Sequence, residues 1–234
     1  MSIDVGAIEK FDQTGASRTP CHCGHKFHDC KLVVVTGGPG AGKTAVLNMA
    51  TQVLCEHVVM IPEAATIVFG GGFWRKESLP AKKASQRAIY HIQHELETIL
   101  LEEKIAAIGL CDRGTIDGLA YWPSNDEEYW QEVKSSLDME LSRYAAVIHL
   151  RTPSLDGGYN HANPVRIESA KEAQELDKRI LQAWDKHPNK TIIESADDFM
   201  TKAYRALVAI KEELPACCRS HALEEVLGKG LPEP

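Results

Sequence analysis

Lys31-Leu32-Val33-Val34-Val35-Thr36 (KLVVVT) runs without a break into Gly37-Gly38-Pro39-Gly40-Ala41-Gly42-Lys43-Thr44 (GGPGAGKT). The first six residues form a short, continuous β-branched run, the pattern of a strand buried on both faces of a parallel sheet. The next eight fit G-x-x-x-x-G-K-[ST]. Small residues there let the backbone wrap closely around a phosphate, with successive amides aimed at its oxygens. After Thr44 the pattern becomes helical to about Cys55, so the loop opens onto a helix N-terminus, which adds its partial positive charge. A chance glycine-rich turn would lack this order. Strand, loop and helix together predict a nucleoside-triphosphate site in which Lys43 reaches the β- and γ-phosphates and Thr44 ligates Mg²⁺.

Outward from this loop, four more short apolar runs follow: Val58–Ile61, Ala106–Cys111, Ala145–Leu150 and Thr191–Ile193. Helical stretches separate them. A long one is expected over about Ala81–Glu103, where Ile89, Ile92, Leu96 and Ile99 make one apolar face. Another is expected from Ser124 or Asn125 to about Tyr144, with Asp126, Glu127 and Glu128 placed in its first turn. Two more end near Trp184 and Glu213. Strands alternating with helices imply parallel βαβ units. The expected fold class is α/β: a three-layer P-loop NTPase fold with a five-stranded, mostly parallel sheet and helices on both faces. The organisation is read as an N-terminal Cys/His-containing extension (residues 1–30), an NTP-binding domain (31–214) and a C-terminal tail (215–234).

Composition narrows the partners. Of 234 residues, 26 are basic and 33 acidic, leaving a net charge of −7. Such a chain has no long-range attraction for a nucleic acid polymer or an anionic membrane, although one small anion held by amides and a lysine is fully compatible. No apolar run approaches the ~18 residues of a bilayer span, and the start lacks a secretory pattern. A cytoplasmic protein with reduced thiols is expected, and a homodimer is compatible with everything read here.

Several P-loop subclasses fail on motif. A regulatory GTPase would show Asn-Lys-x-Asp, but the one Asn-Lys, Asn189-Lys190, is followed by Thr191-Ile192. An AAA+ motor would end an apolar strand in Asp-Glu, with the glutamate activating water. Here that strand ends in Asp112-Arg113, and the chain is short for a motor module plus its helical lid.

Pro62-Glu63 after the second strand, Cys111-Asp112-Arg113-Gly114 after the third and His149-Leu150-Arg151-Thr152-Pro153 after the fourth resemble the P-loop nucleoside and nucleotide kinases. The order of motifs over residues 31–213 is most similar to the NadR-like kinase domain. That family spans nicotinamide riboside kinases and the GTP-binding TRPL-translocation-defect proteins. The resemblance implies ATP, with GTP as an alternative, together with Mg²⁺ and a small-molecule acceptor.

The chemistry agrees. A carboxylate at a strand end beside the P-loop can accept the proton of an attacking hydroxyl, while most of the catalysis is positioning and charge neutralisation. Glu63 is the candidate for that carboxylate, against a plain surface glutamate. Asp112 would hold Mg²⁺ through water or share the base role. Arg113 would touch the transferred phosphoryl group; a local ion pair is the bland reading of both. Asp117 could bind a ribose or cap a helix. Arg151 and Arg166 flank a Gly-containing segment with a lid's composition, Arg179 being a third choice. Such arginines could close over the triphosphate and exclude water. Phe69, Phe73 and Trp74 could stack on an acceptor ring or simply anchor their loop, and Gln86 or Arg87 could read that ring. Arginines are fewer than in the family's dense cluster. A nucleotide-binding regulator without a small-molecule acceptor therefore stands beside the kinase.

One motif stays outside this frame. Cys21, Cys23, His25, His28 and Cys30 crowd into ten residues and offer soft ligands for zinc. The spacing departs from the robust zinc signatures, so a metal site on Cys21, Cys23, His28 and Cys30 and a polar extension with exposed thiols both remain open. Cys217-Cys218 receive no role.

Overall fold

β1 (Lys31–Thr36) lies at the centre of a five-stranded sheet with the order β2-β3-β1-β4-β5, in the computed structural model, which describes residues 20, 21, 23–153, 170–195 and 198–219. The other strands are β2 (Val58–Ile61), β3 (Ile108–Asp112), β4 (Tyr144–Leu150) and β5 (Lys190–Ile193), and every pairing is parallel. The helices are α1 (Lys43–Val53), α2 (Ala64–Gly70), α3 (Leu79–Glu103), α4 (Gly118–Tyr121), α5 (Asp126–Val133), α6 (Leu137–Ser142), α7 (Ala170–Ala183) and α8 (Phe199–Glu213).

β1 is apolar throughout because both its faces are covered. Val33 and Val35 join Val46, Leu47, Ala206, Leu207 and Ile210, the side of α1 and α8. Leu32 and Val34, one step out of phase, join Tyr90, Leu100, Tyr129 and Trp184, the side of α3, α5 and α7. Alternate side chains of one strand thus feed two core layers. β1 has β3 on one side and β4 on the other, so the chain changes direction across the sheet at β1, and a crevice opens at the strands' C-terminal ends.

The expected helix from Ser124 to Tyr144 is two helices. Asn125 caps α5, its side chain accepting from the Glu128 amide, and Lys134 ends it in the left-handed region at φ 55°. Ser136 then caps α6 by accepting from the Met139 amide. The serine pair 135–136 was the break signal. Helix α2 was not anticipated; it begins immediately after Glu63 and contains Phe69.

The apolar stripe of α3 is also not its buried face. Ile92 and Ile99 are exposed, and the helix buries Ser85, Tyr90, Gln93, Glu97 and Leu100. A polar face survives burial when each group is paired. Glu97 accepts from Arg143 at 2.6 Å, Gln93 at 2.9 Å and Tyr144 at 2.9 Å, while Tyr90 donates to Glu140 at 2.6 Å. Most of the segment read as a lid, Arg166 included, lies outside the described residues. No helix among the described residues is long and apolar enough to cross a membrane.

Candidate functional site

Three glycines of the phosphate loop adopt positive φ: Gly37 at 135°, Gly40 at 80° and Gly42 at 92°. At Gly37 a side chain is excluded outright, since a Cβ there would sit 2.0 Å from the Leu150 carbonyl oxygen. Gly42 is the N-cap of α1, and the ring of Phe199 packs against it, 2.7 Å from where a Cβ would lie. The amides of Lys43, Thr44 and Ala45 fall in the first turn, where no intrahelical acceptor exists, and so face the crevice as donors. Thr44 is exposed beside them.

Lys43 is buried, and its Nζ donates to the carbonyls of Gly37 at 3.0 Å and Gly38 at 3.1 Å. Burial brings its pKa down to about 8, helped by Arg113 and opposed by Asp112, Glu63 and Asp117. A cation held in this state gains from any anion that enters the loop.

The strand ends carry the remaining charges. In register, Ile61 of β2 faces Cys111 of β3, and Asp112 faces Val35 of β1. Glu63 and Arg113 therefore leave neighbouring strand ends together. Arg113 has φ 74°, uncommon for a residue with a side chain, and its amide donates to the Val35 carbonyl. That turn carries its guanidinium back over the loop. Nε donates to Glu63 Oε1 at 2.9 Å, and Nη1 donates to Asp117 Oδ2 at 3.1 Å and the Gly37 carbonyl at 3.3 Å. Burial works against its charge, yet Tyr121, Asp117, Glu63 and Asp112 together raise its pKa above the ordinary value.

Glu63 is half-buried. Burial raises its pKa, but Arg113, a 2.6 Å hydrogen bond from Thr66 and Lys43 outweigh this and hold it ionised. Asp112 behaves in the opposite way. Burial pushes it up to about 6, with Lys43 and Arg113 opposing and Glu63 and Asp117 adding. Its Oδ1 is buried without a hydrogen-bond partner among the described residues. An orphaned carboxylate oxygen beside a phosphate loop is the kind of group that a divalent cation or its water completes.

The structure thus brings Lys43, Glu63, Asp112 and Arg113 together at the mouth of the loop. Asp117 joins them, but neither as a ribose ligand nor as a side-chain cap. Both its oxygens are used inside the protein, by Thr36 at 2.6 Å, Trp184 at 2.6 Å and Arg113. Arg151 lies on the other flank of β1. It pairs with Asp177 at 3.3 Å and stands 3.9 Å from Glu194. Arg179 is exposed on α7, Arg87 pairs with Glu132, and Phe73 and Trp74 are exposed after α2.

Asp177 was missed. Buried on α7, it accepts from the Gly38 amide at 3.0 Å and lies 2.9 Å from His149 Nε2 on β4. Lys202 of α8 was missed too; its Nζ donates to the carbonyls of Ala41 at 2.8 Å and Arg151 at 2.5 Å. The phosphate loop is therefore latched from behind by two buried charges. The one signal for this was His149, a lone polar residue inside the apolar run AAVIHL.

Residues 32–202 match the model of a family described as an AAA domain. The chain belongs to that AAA domain family. Within it, this AAA domain has a nucleoside-kinase-like fold. A solved thymidylate kinase from Candida albicans superposes with a TM-score of 0.51 at 15% identity, covering 79% of this chain and 93% of that one. No curated protein matches the chain in sequence. Family and fold together make this a P-loop, nucleotide-binding domain with a kinase-like fold. The β3 strand of this AAA domain ends in Asp112-Arg113, without the Asp-Glu of a motor.

Proposed function

We propose that the chain is an ATP-dependent phosphotransferase that moves the γ-phosphoryl group to a hydroxyl of a small, nucleoside-like acceptor. The observation that supports this most is the placement of ionised Glu63 at the end of β2, fixed by Arg113 Nε at 2.9 Å, next to a loop built for phosphates. A carboxylate in that position accepts the acceptor's proton as its oxygen attacks phosphorus. The Arg113 guanidinium and Lys43 stand where negative charge gathers on the transferred group. The amides of Gly40, Gly42, Lys43 and Thr44 hold the nucleotide's phosphates; Pro39 has no N–H, and those of Gly38 and Ala41 are committed to Asp177 and to the Gly38 carbonyl. Asp112, with its orphaned Oδ1, and Thr44 are the residues that would hold Mg²⁺, which when bound neutralises charge across the β- and γ-phosphates. Arg151, and in our reading Arg166, belong to the nucleotide side of the crevice. We place the protein in the cytoplasm.

A second reading, a nucleotide-binding regulator, draws on a different observation. Lys43 is folded onto the Gly37 and Gly38 carbonyls, and Arg113 is engaged by Glu63 and Asp117. These contacts must rearrange when a nucleotide enters, which is how occupancy becomes a conformational signal. The discriminating experiment supplies Mg-ATP or Mg-GTP with a panel of nucleosides and nucleotides and follows nucleotide consumption. Acceptor-dependent turnover supports the kinase. Tight binding without turnover across the panel supports the regulator.

A further inference from the structure

Among the described residues, the cysteines and histidines of the N-terminal segment do not form a site by themselves. Cys30 leaves the group and packs with the α3 side of the core, whereas Cys21 and Cys23 pack on the α1 and α8 side. There they meet two residues distant in sequence. His57 precedes β2, and Cys218 lies in the turn of 3-10 helix, Ala216–Cys218, that follows α8.

One ligand atom from each of Cys21, Cys23, His57 and Cys218 lies within 4.8 Å of all the others. Cys21 Sγ is 3.7 Å from Cys218 Sγ, Cys23 Sγ is 3.6 Å from His57 Nδ1, and Cys218 Sγ is 3.5 Å from the same Nδ1. These three distances match edges of a tetrahedron around zinc. With Zn–S near 2.3 Å and Zn–N near 2.05 Å, tetrahedral geometry sets S···S at about 3.8 Å and S···N at about 3.5 Å. We propose that Cys21, Cys23, His57 and Cys218 form a structural Cys₃His zinc site that clasps the two ends of the domain onto its core.

The surroundings suit this. His57 is fixed by its own carbonyl, which accepts from the Ala107 amide at 2.8 Å and the Ile108 amide at 3.1 Å at the entry to β3. The Cys21 amide donates to Glu56 Oε1 at 3.1 Å, and the His25 amide donates to Cys23 Sγ at 3.5 Å, a contact that favours a thiolate. His28 and Cys217 stand at the margin. His28 Nε2 is 3.8 Å from Cys23 Sγ, and Cys217, which is exposed, lies 3.8 Å from Cys218 Sγ. A disulfide would use two sulfurs and leave a third thiol and an imidazole nitrogen facing them. Zinc uses all four. Cys21 and Cys218 stand 197 positions apart, so one ion would close nearly the whole domain.

The test is elemental analysis of the full chain, made without an affinity tag and purified under reductant. The expected result is about one zinc per chain. Replacing zinc with Co²⁺ alone should give a tetrahedral thiolate spectrum, with visible d–d bands and near-ultraviolet charge transfer. Cys218→Ser and Cys23→Ser should lose metal, while Cys30→Ser should keep it. Chelation of the native chain should lower its thermal midpoint by roughly 5–10 °C, restored by Zn²⁺. Should a ligand variant fail to fold, the cobalt spectrum of the native chain decides. Zinc below about a tenth of an equivalent, an octahedral cobalt spectrum, a Cys21–Cys218 disulfide in reduced protein, or metal lost equally in Cys30→Ser would each overturn the proposal.

Discussion

Arg113 Nε lies 2.9 Å from Glu63 Oε1, across the ends of two neighbouring parallel strands. This ion pair, half-shielded from water, joins the two features that the proposed reaction needs. One is a carboxylate kept ionised, and the other is a cation turned back over the phosphate loop by its left-handed backbone. Glu63→Gln keeps one oxygen to accept from Arg113, presents an NH2 group to the Thr66 hydroxyl, and removes the base. Turnover should fall by about 10²–10⁴-fold while the Kd for ATP stays within about threefold. Steady-state kinetics beside equilibrium binding checks this; unchanged kcat would remove Glu63 from the mechanism.

The pH profile of the free protein should be bell-shaped. Asp112, raised to about 6 chiefly by burial, must be ionised to take a metal, so the affinity for Mg-nucleotide falls as pH drops through that value. Lys43, lowered to about 8 by burial, must stay protonated, so affinity also falls as pH rises past that value. Binding of a non-hydrolysable Mg-nucleotide followed across pH should show both limbs. Lys43→Met should abolish the alkaline one, and a flat profile would contradict both assignments.

Asp112 should also be a stability liability. Because its folded pKa is raised, the native state holds more protons than the unfolded chain between the ordinary aspartate range and about pH 6, and stability declines as pH rises through that window. Above it the ionised, orphaned carboxylate costs on the order of 3 kcal/mol. Asp112→Asn should therefore raise the nucleotide-free thermal midpoint at neutral pH by about 5 °C, while weakening Mg²⁺-dependent nucleotide binding. A lowered midpoint would show that the carboxylate is instead paired.

Asp177 should act on nucleotide binding through the phosphate loop, whose Gly38 amide it holds. Asp177→Ala removes the acceptor of the Gly38 amide, takes away the partner of His149 Nε2 and leaves Arg151 only the more distant Glu194. A loss of about 2–3 kcal/mol in stability and about tenfold in ATP affinity is expected, with Asp177→Asn falling between. Denaturant unfolding and calorimetric titration measure the two. Stability lost with ATP affinity intact would make the latch purely structural.

The fold was legible because its determinants are local. A β-branched run, a glycine loop and a helix occupy consecutive residues from Lys31, and five apolar runs set the strands. The site was legible where a motif sits at a strand end, as at Glu63 and Asp112-Arg113. What sequence could not give is what tertiary packing decides. α3 buries Glu97 and Gln93 in place of Ile92 and Ile99, because Arg143 and Tyr144 arrive from a distant segment to satisfy Glu97, which in turn accepts from Gln93. Asp177 looks like any polar residue of an exposed helix until the Gly38 amide meets it. Cys21 and Cys23 likewise find their partners at His57 and Cys218, far along the chain, where no spacing rule would look.

Ionised Glu63 beside the phosphate loop is proposed to serve transfer to an acceptor. Its most direct test is mass spectrometry of acceptor mixtures after incubation with the protein and Mg-ATP carrying a labelled γ-phosphate. One nucleoside-like compound should gain the labelled phosphoryl group with the native chain and not with Glu63→Gln. Label recovered only as inorganic phosphate, or retained in ATP across every acceptor, would contradict it.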